Sequence, residues 1–237
     1  MTKKPEIILV TRNSASLHLD VGDYIHLIED DNESWKDEAM RYASFVDRWM
    51  AEKDKSLVQL IPYVVCLTEE GQILSYRRKG GGEERLEGKH SIGIGGHVNT
   101  TDTTVVEQII PDNNKQIQYE ISWDVITRGA IREIEEELHI DKGYAENNLI
   151  EMGVMYTPSD EGLDNETPVP AVGEVHIAII YALKVHDKIT TQASEGLIRP
   201  RFINESTTSK KNYEKWSQLI LSNIDEFKRI YKNKSAK

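Results

Sequence analysis

The apolar residues of this chain fall into two kinds of run. Residues 60–68 are almost continuously apolar and stop at Glu69-Glu70-Gly71. A run of that length predicts a strand buried on both faces, and residues 72–78 read as its hairpin partner. Residues 92–94 predict a short strand that enters the pair Gly95-Gly96. Residues 149–156 and 174–185 predict two longer strands, and 201–203 a last short one. The second kind of run has helical spacing. Trp123, Ile126, Ala130, Ile134 and Leu138 place one apolar face on a helix over 122–138. Trp216, Leu219, Ile220, Ile224 and Phe227 do the same over 212–232. Near the start, residues 7–10 read as a strand. Trp35, Ala39, Tyr42, Val46 and Trp49 predict a single helix over 34–53, with Ser34 as its N-cap. Pattern alone gives α/β or α+β.

Three segments interrupt this order. Residues 103–110 and 116–121 are rich in β-formers and flank Pro111-Asp112-Asn113-Asn114, which predicts a hairpin. Residues 79–84 form a charged glycine-rich loop without the order of a Walker or Rossmann phosphate loop. Residues 157–172 form a long polar loop, of the kind that is functional or mobile. There is no internal repeat.

Composition narrows the classes. The chain has 237 residues and a formal charge of −11. That balance argues against a non-specific nucleic-acid surface, which needs a basic stripe. One cysteine, Cys66, excludes an internal disulfide, and its apolar run reads as structural. No secretion signal or membrane span is expected, so the cytoplasm is the default location.

The candidate chemistry lies in Arg132-Glu133-Ile134-Glu135-Glu136-Glu137-Leu138-His139-Ile140. Glu133, Glu136 and Glu137 share one helix face, where like charges repel. Most Glu-rich faces are solvated surface. The alternative is that a hard divalent cation neutralises them. Glycine at 129 leaves room for a loop to approach that side of the helix.

This string, with Gly95-Gly96-His97-Val98 upstream, resembles the Nudix box. The signature is Gly, five residues, Glu, seven residues, Arg-Glu, an aliphatic residue, any residue, Glu-Glu, any residue, Gly, aliphatic. Gly96 fits the opening, 132–137 fit the core and Ile140 fits the end. Three positions depart from it. Asp124 lies eight residues before Arg132 where Glu is expected, His139 stands in place of the closing Gly, and about 22 extra residues separate Gly96 from Asp124.

The resemblance implies a Nudix-type α/β/α sandwich with a mixed sheet. To it would be added an N-terminal strand-helix extension over 1–57 and a hairpin insertion over about 99–121 within a domain of 58–237. The extension packs on the main domain; the alternative is a homodimer that covers its apolar stripe. The resemblance also implies a hydrolase that uses Mg²⁺ or Mn²⁺ to cleave a diphosphate linkage in a small-molecule phosphoanhydride, such as a nucleoside diphosphate derivative. By it, Glu136 and Glu137 are metal ligands, Glu133 binds metal or acts as base, Gly96 offers a backbone carbonyl, and Arg132 orients Glu133. Asp124 is either an outer partner or an acid at the helix start.

Other residues are read from their positions. Glu174 and His176 alternate on one predicted strand and so share a face; the pair either lines the substrate pocket, or His176 is a hydrogen-bonded structural histidine. Arg77 and Arg78 end a strand nearby; either one of them contacts phosphate, with Arg77 taken as the candidate, or both are surface charge. Glu161, Glu166 and Glu174 are candidate bases outside the box. Two further readings remain: an isomerase of the same fold, which would need a catalytic cysteine unlike Cys66, and a non-catalytic Nudix-like module that senses a nucleotide or binds a protein.

Overall fold

The computed structural model describes residues 6–12, 22–29, 34–79, 86–109, 115–158, 170–191, 194, 196–205 and 208–236. Its centre is β4 (Leu57–Leu67), in which every residue after Leu57 is buried. Alternation sends Leu60, Val64 and Cys66 to one face and Tyr63, Val65 and Leu67 to the other. β11 (His176–Lys184) lies beside it in parallel, from His176↔Gln59 to Lys184↔Leu67. The main sheet runs β12 (Leu197–Ile203), β5 (Ile73–Arg78), β4, β11, β10 (Ile150–Tyr156) and β2 (Tyr24–Leu27). The β4–β11 pair is parallel and the other pairs are antiparallel, so the sheet is mixed.

Helices cover both faces. α3 (Asp124–Leu138) lays Ile126, Ala130, Ile134 and Leu138 on one face, all fully buried. α5 (Lys215–Ser222) and α6 (Ile224–Ser235) cover the other with Ile220, Leu221, Phe227 and Ile230. Burying an aliphatic or aromatic side chain contributes roughly 1.5–3 kcal/mol, so these two layers hold the sandwich together. The fold is therefore the expected α/β/α sandwich. Cys66 is fully buried, and burial pushes its thiol up to about 12, as expected for a structural cysteine. Among the described residues no helix is long and apolar enough to cross a membrane.

The N-terminal segment joins the sheet. β1 (Ile7–Arg12) pairs with the start of β4 through Val10↔Gln59, and β2 pairs with β10. The single helix predicted over 34–53 does not form. α1 (Ser34–Arg41) ends early, β3 (Ser44–Asp47) pairs with β1, and α2 (Arg48–Ala51) follows, capped by the Asp47 carboxylate on Trp49 N–H. Phe45 and Val46 favour strand, and the free edge of β1 offers them a ladder that outcompetes helix. Trp49 is left 66% exposed instead of extending the stripe. The C-terminal helix is likewise broken at Asn223.

The insertion is a hairpin. β8 (Thr104–Ile109) and β9 (Lys115–Glu120) pair antiparallel as a separate two-stranded sheet, and the predicted turn at 111–114 lies outside the described residues. The glycine pair lies in and just past β7 (Gly93–Gly95), which pairs with β4. Leading into it is β6 (His90–Ser91), paired with β5.

His139 closes α3 in the left-handed region at φ 53°, with its N–H on the Glu135 carbonyl at 3.0 Å. This is the conformation that favours the glycine of the signature. His139→Gly is therefore expected to stabilise the protein by about 0.5–1 kcal/mol, relief of the side-chain clash outweighing the added chain entropy. Thermal unfolding should show a Tm raised by roughly 2 °C. A lowered Tm would mean that His139 makes a contact worth more than its strain.

Candidate active site

Arg132 organises the acidic face of α3. Its Nε and Nη2 donate to the two Asp102 carboxylate oxygens at 2.8 and 3.2 Å, and Nη2 also donates to the His97 carbonyl at 2.8 Å. Its Nη1 donates to Glu133 at 2.6 Å and Glu136 at 3.2 Å. The forked contact to Asp102 fixes the guanidinium plane. Asp102 is 4% exposed and caps its own short 3-10 turn, accepting from Asn99 N–H at 2.9 Å. Gly129 lets this turn come close: a Cβ there would meet Val98 Cγ2 at 3.0 Å and Asp102 Oδ2 at 3.4 Å.

This geometry corrects the alignment drawn from sequence. Asp102 lies six residues after Gly96, where the signature carries Glu. Asp124 is the exposed first residue of α3, where the helix dipole favours an acid. The 22 extra residues thus separate Asp102 from Arg132 (30 positions against the signature's eight), not Gly96 from the acid. Counting forward from Gly96 would have found Asp102; counting back from Arg132 found Asp124.

Glu133 is packed against the glycine pair. A Cβ on Gly96 would lie 2.3 Å from its Oε1, and one on Gly95 would lie 2.3 Å from the Pro62 carbonyl. Close approach, rather than backbone angle, requires these glycines. Burial raises the Glu133 pKa above the ordinary value; Arg132 opposes the shift, and Glu136 and Glu137 add to it. Glu137 accepts from the Ser194 hydroxyl, and Ser194 N–H donates to the Glu137 carbonyl at 2.8 Å. Glu133, Glu137, Gly95, Gly96, Tyr76 and Arg78 line a cavity of about 330 Å³. Glu136 is the exposed member of the set.

Among the described residues, no three Asp, Glu, His or Cys side chains converge into a ready-made cation cage. The donor chemistry nevertheless fits a hard divalent ion. It consists of carboxylates beside a backbone carbonyl, one of them half-buried and repelled by its neighbours. Glu136 would exchange its contact with Arg132 for the ion.

A second pocket opens from the same glycine pair. Ile61, Tyr63, Val172 and Trp216 form an apolar wall, with Arg78, His97, His176 and Glu214 among the polar groups. The Trp216 and Tyr63 rings meet edge to face at 5.5 Å. Glu214 is 3% exposed and accepts from Tyr63 at 2.7 Å, from Ser217 at 3.1 Å and from Ser91, with Arg78 Nη1 at 3.5 Å. Burial, then the Glu214 charge, hold the Tyr63 phenol far above its ordinary pKa, so it remains a donor. His97 and His176 stand 5.9 Å apart, and nothing among the described residues bonds His97 Nε2. Burial, with Arg48, His176 and Arg132 nearby, holds the His97 pKa well below ordinary, so the ring is neutral at pH 7.

The structure brings Arg132, Glu133, Glu136, Glu137, Gly96 and His176 to one region. It does not bring Arg77 or Glu174 there as expected. Adjacent residues on a strand face opposite ways. Arg78 therefore lines both pockets, while Arg77 Nε donates to the Gly88 carbonyl on another side. Glu174 precedes β11, in a 3-10 turn, so it does not alternate with His176 on one strand. Its carboxylate takes Lys55 Nζ at 2.6 Å and Ala171 N–H at 2.8 Å. Burial would raise the Glu174 pKa, but these partners hold it below ordinary. Glu161 and Glu166 lie outside the described residues. Sequence reasoning missed Asp102, Glu214, Tyr63 and Trp216 as parts of the site.

No protein-family model matches the chain. Protein YmaB of Bacillus subtilis (strain 168) is 29% identical over 181 residues, covering 74% of this chain and 75% of that protein. The crystal structure of Tm1382, a candidate Nudix hydrolase, superposes with a TM-score of 0.60 at 20% identity, over 92% of this chain and 98% of that one. With a mixed sheet between two helical layers, and a glycine pair set against an acidic helix, this chain has the Nudix fold.

Proposed function

We propose that the chain is a divalent-metal-dependent hydrolase of a phosphoanhydride bond in a small molecule, with Mg²⁺ or Mn²⁺ as cofactor. The observation that carries this reading is the half-buried Glu133, packed on Gly96 and held by Arg132, beside a cavity that Arg78 shares with an apolar pocket. Glu133, Glu136, Glu137 and the Gly96 carbonyl would hold the ion. When bound, such an ion offsets phosphate charge and lowers the pKa of water. Arg132 fixes the Glu133 carboxylate, and Arg78, anchored near Glu214, offers a guanidinium to a phosphate. Tyr63, Trp216 and Ile61 suit a ring or other apolar portion of the substrate. The neutral His97 offers its free nitrogen as a hydrogen-bonding group.

The test is release of phosphate or nucleotide from a panel of diphosphate compounds, with Mg²⁺, with Mn²⁺ and with chelator. Cleavage of one class that chelator abolishes is expected. Binding of a panel member without turnover under any metal would replace this reading with that of a sensing module.

A further inference from the structure

Arg77, turned away from the candidate active site, belongs to a different cluster. β12 is irregular between Ile198 and Arg201, and Arg199 there adopts φ 52° directly before Pro200. Left-handed backbone is costly for Arg, and a following proline restricts it further. Such strain persists only when the surroundings hold it. Here it accompanies a groove of about 700 Å³ lined by Arg77, Lys89, Arg199, Arg201 and Lys211, with Glu87 the one carboxylate among the described residues that line it.

Many cations elsewhere among the described residues are paired with acids. Arg48, Lys55, Arg132, Lys184, Lys215, Lys228 and Arg229 each have a carboxylate within 4.0 Å. Among the described residues, none of the five groove cations has one. Their gathering is the more unusual in a chain of formal charge −11. Like charges placed together without partners raise the local potential and attract anions.

We propose that this groove is a second site, which binds a compact polyanion carrying several phosphate groups. Arginine forks and lysine ammonium groups are the donors suited to phosphate oxygens. The volume matches a small ligand. A long nucleic-acid strand would run onto the acidic remainder of the surface, which favours the compact ligand. β5 separates the groove from the acidic helix, since Arg77 and Arg78 leave it on opposite faces, so this site stands whether or not the proposed hydrolase activity does.

The experiment is calorimetric titration of the whole protein with inorganic tripolyphosphate, in chelator so that no cation supports the acidic cavity. Saturable binding that weakens as salt is raised is expected. Arg199→Gly combined with Arg201→Ala should lower the affinity at least about tenfold. Arg199→Gly removes a strained side chain, so loss of folding does not confound the result, and a thermal melt confirms it. Arg78→Ala should leave the affinity unchanged. Absence of binding, or binding lost in Arg78→Ala but kept in the groove variant, would overturn the proposal. So would a single-stranded RNA 12-mer that binds more than about tenfold tighter than tripolyphosphate, because an extended ligand would then be the better fit.

Discussion

Glu133→Gln is expected to lower turnover by about 10²–10⁴-fold, the range for losing a group that handles a proton or holds the reacting centre. The fold should not suffer. Gln keeps the carbonyl oxygen that accepts from Arg132 at 2.6 Å and matches the volume packed on Gly96. It also removes one of three like charges on a helix face, each pair of which costs a few tenths of a kcal/mol. Activity and stability should therefore move apart: turnover collapses while Tm holds or rises slightly. The pH dependence has a defined sign. Burial raises the Glu133 pKa in the folded protein. The folded state then binds its proton more tightly than the unfolded chain does. Its contribution favours folding at low pH and is lost as pH rises from the unfolded value through the raised folded one. In chelator, wild type should lose stability relative to Glu133→Gln across that window, and an added divalent ion should reverse the difference. Equal turnover in the two proteins would remove Glu133 from the chemistry altogether.

The parts of this molecule that were legible in its sequence are those set by local periodicity. β4 was readable because both of its faces are buried. The core face of α3 was readable because 3.6-residue spacing leaves no other choice, and the hairpin because β-formers flank a turn. The acidic face and the glycine pair could be joined only through the resemblance to the Nudix box, and the contact between Glu133 and Gly96 gives that spacing its physical reason. What failed depended on distant partners. Helix over 34–53 was locally reasonable, but β1 lies almost 40 residues away and claims residues 44–47 for its edge. The face reached by Arg77 or Arg78 turns on where β5 ends and on its register with β6 and β12, which no single strand reveals. Glu174 was misread because a strand was extended two residues into a turn. Asp102 was missed because the insertion falls after it, so counting from the helix reached the wrong acid.

Arg132→Met is expected to cost about 3–5 kcal/mol, the usual consequence of leaving a buried charge without its partner. Asp102 is that charge. At 4% exposure it would keep, among the described residues, only the Asn99 N–H as a donor. For a chain of this size the Tm should fall by roughly 10 °C. Glu133 and Glu136 also lose their shared contact, but Glu136 is well exposed and its share is small. The decisive comparison adds Asp102→Asn. Asn keeps an oxygen for the Asn99 cap and carries no charge. The double variant should therefore recover about 2 kcal/mol relative to the sum of the single changes, a coupling expected only of direct partners. Turnover should remain low in the double variant, since stability returns without the cation that orients Glu133. If the two changes add without coupling, Asp102 is not the residue that holds Arg132, and the acid at the start of α3 regains its claim to that place in the box.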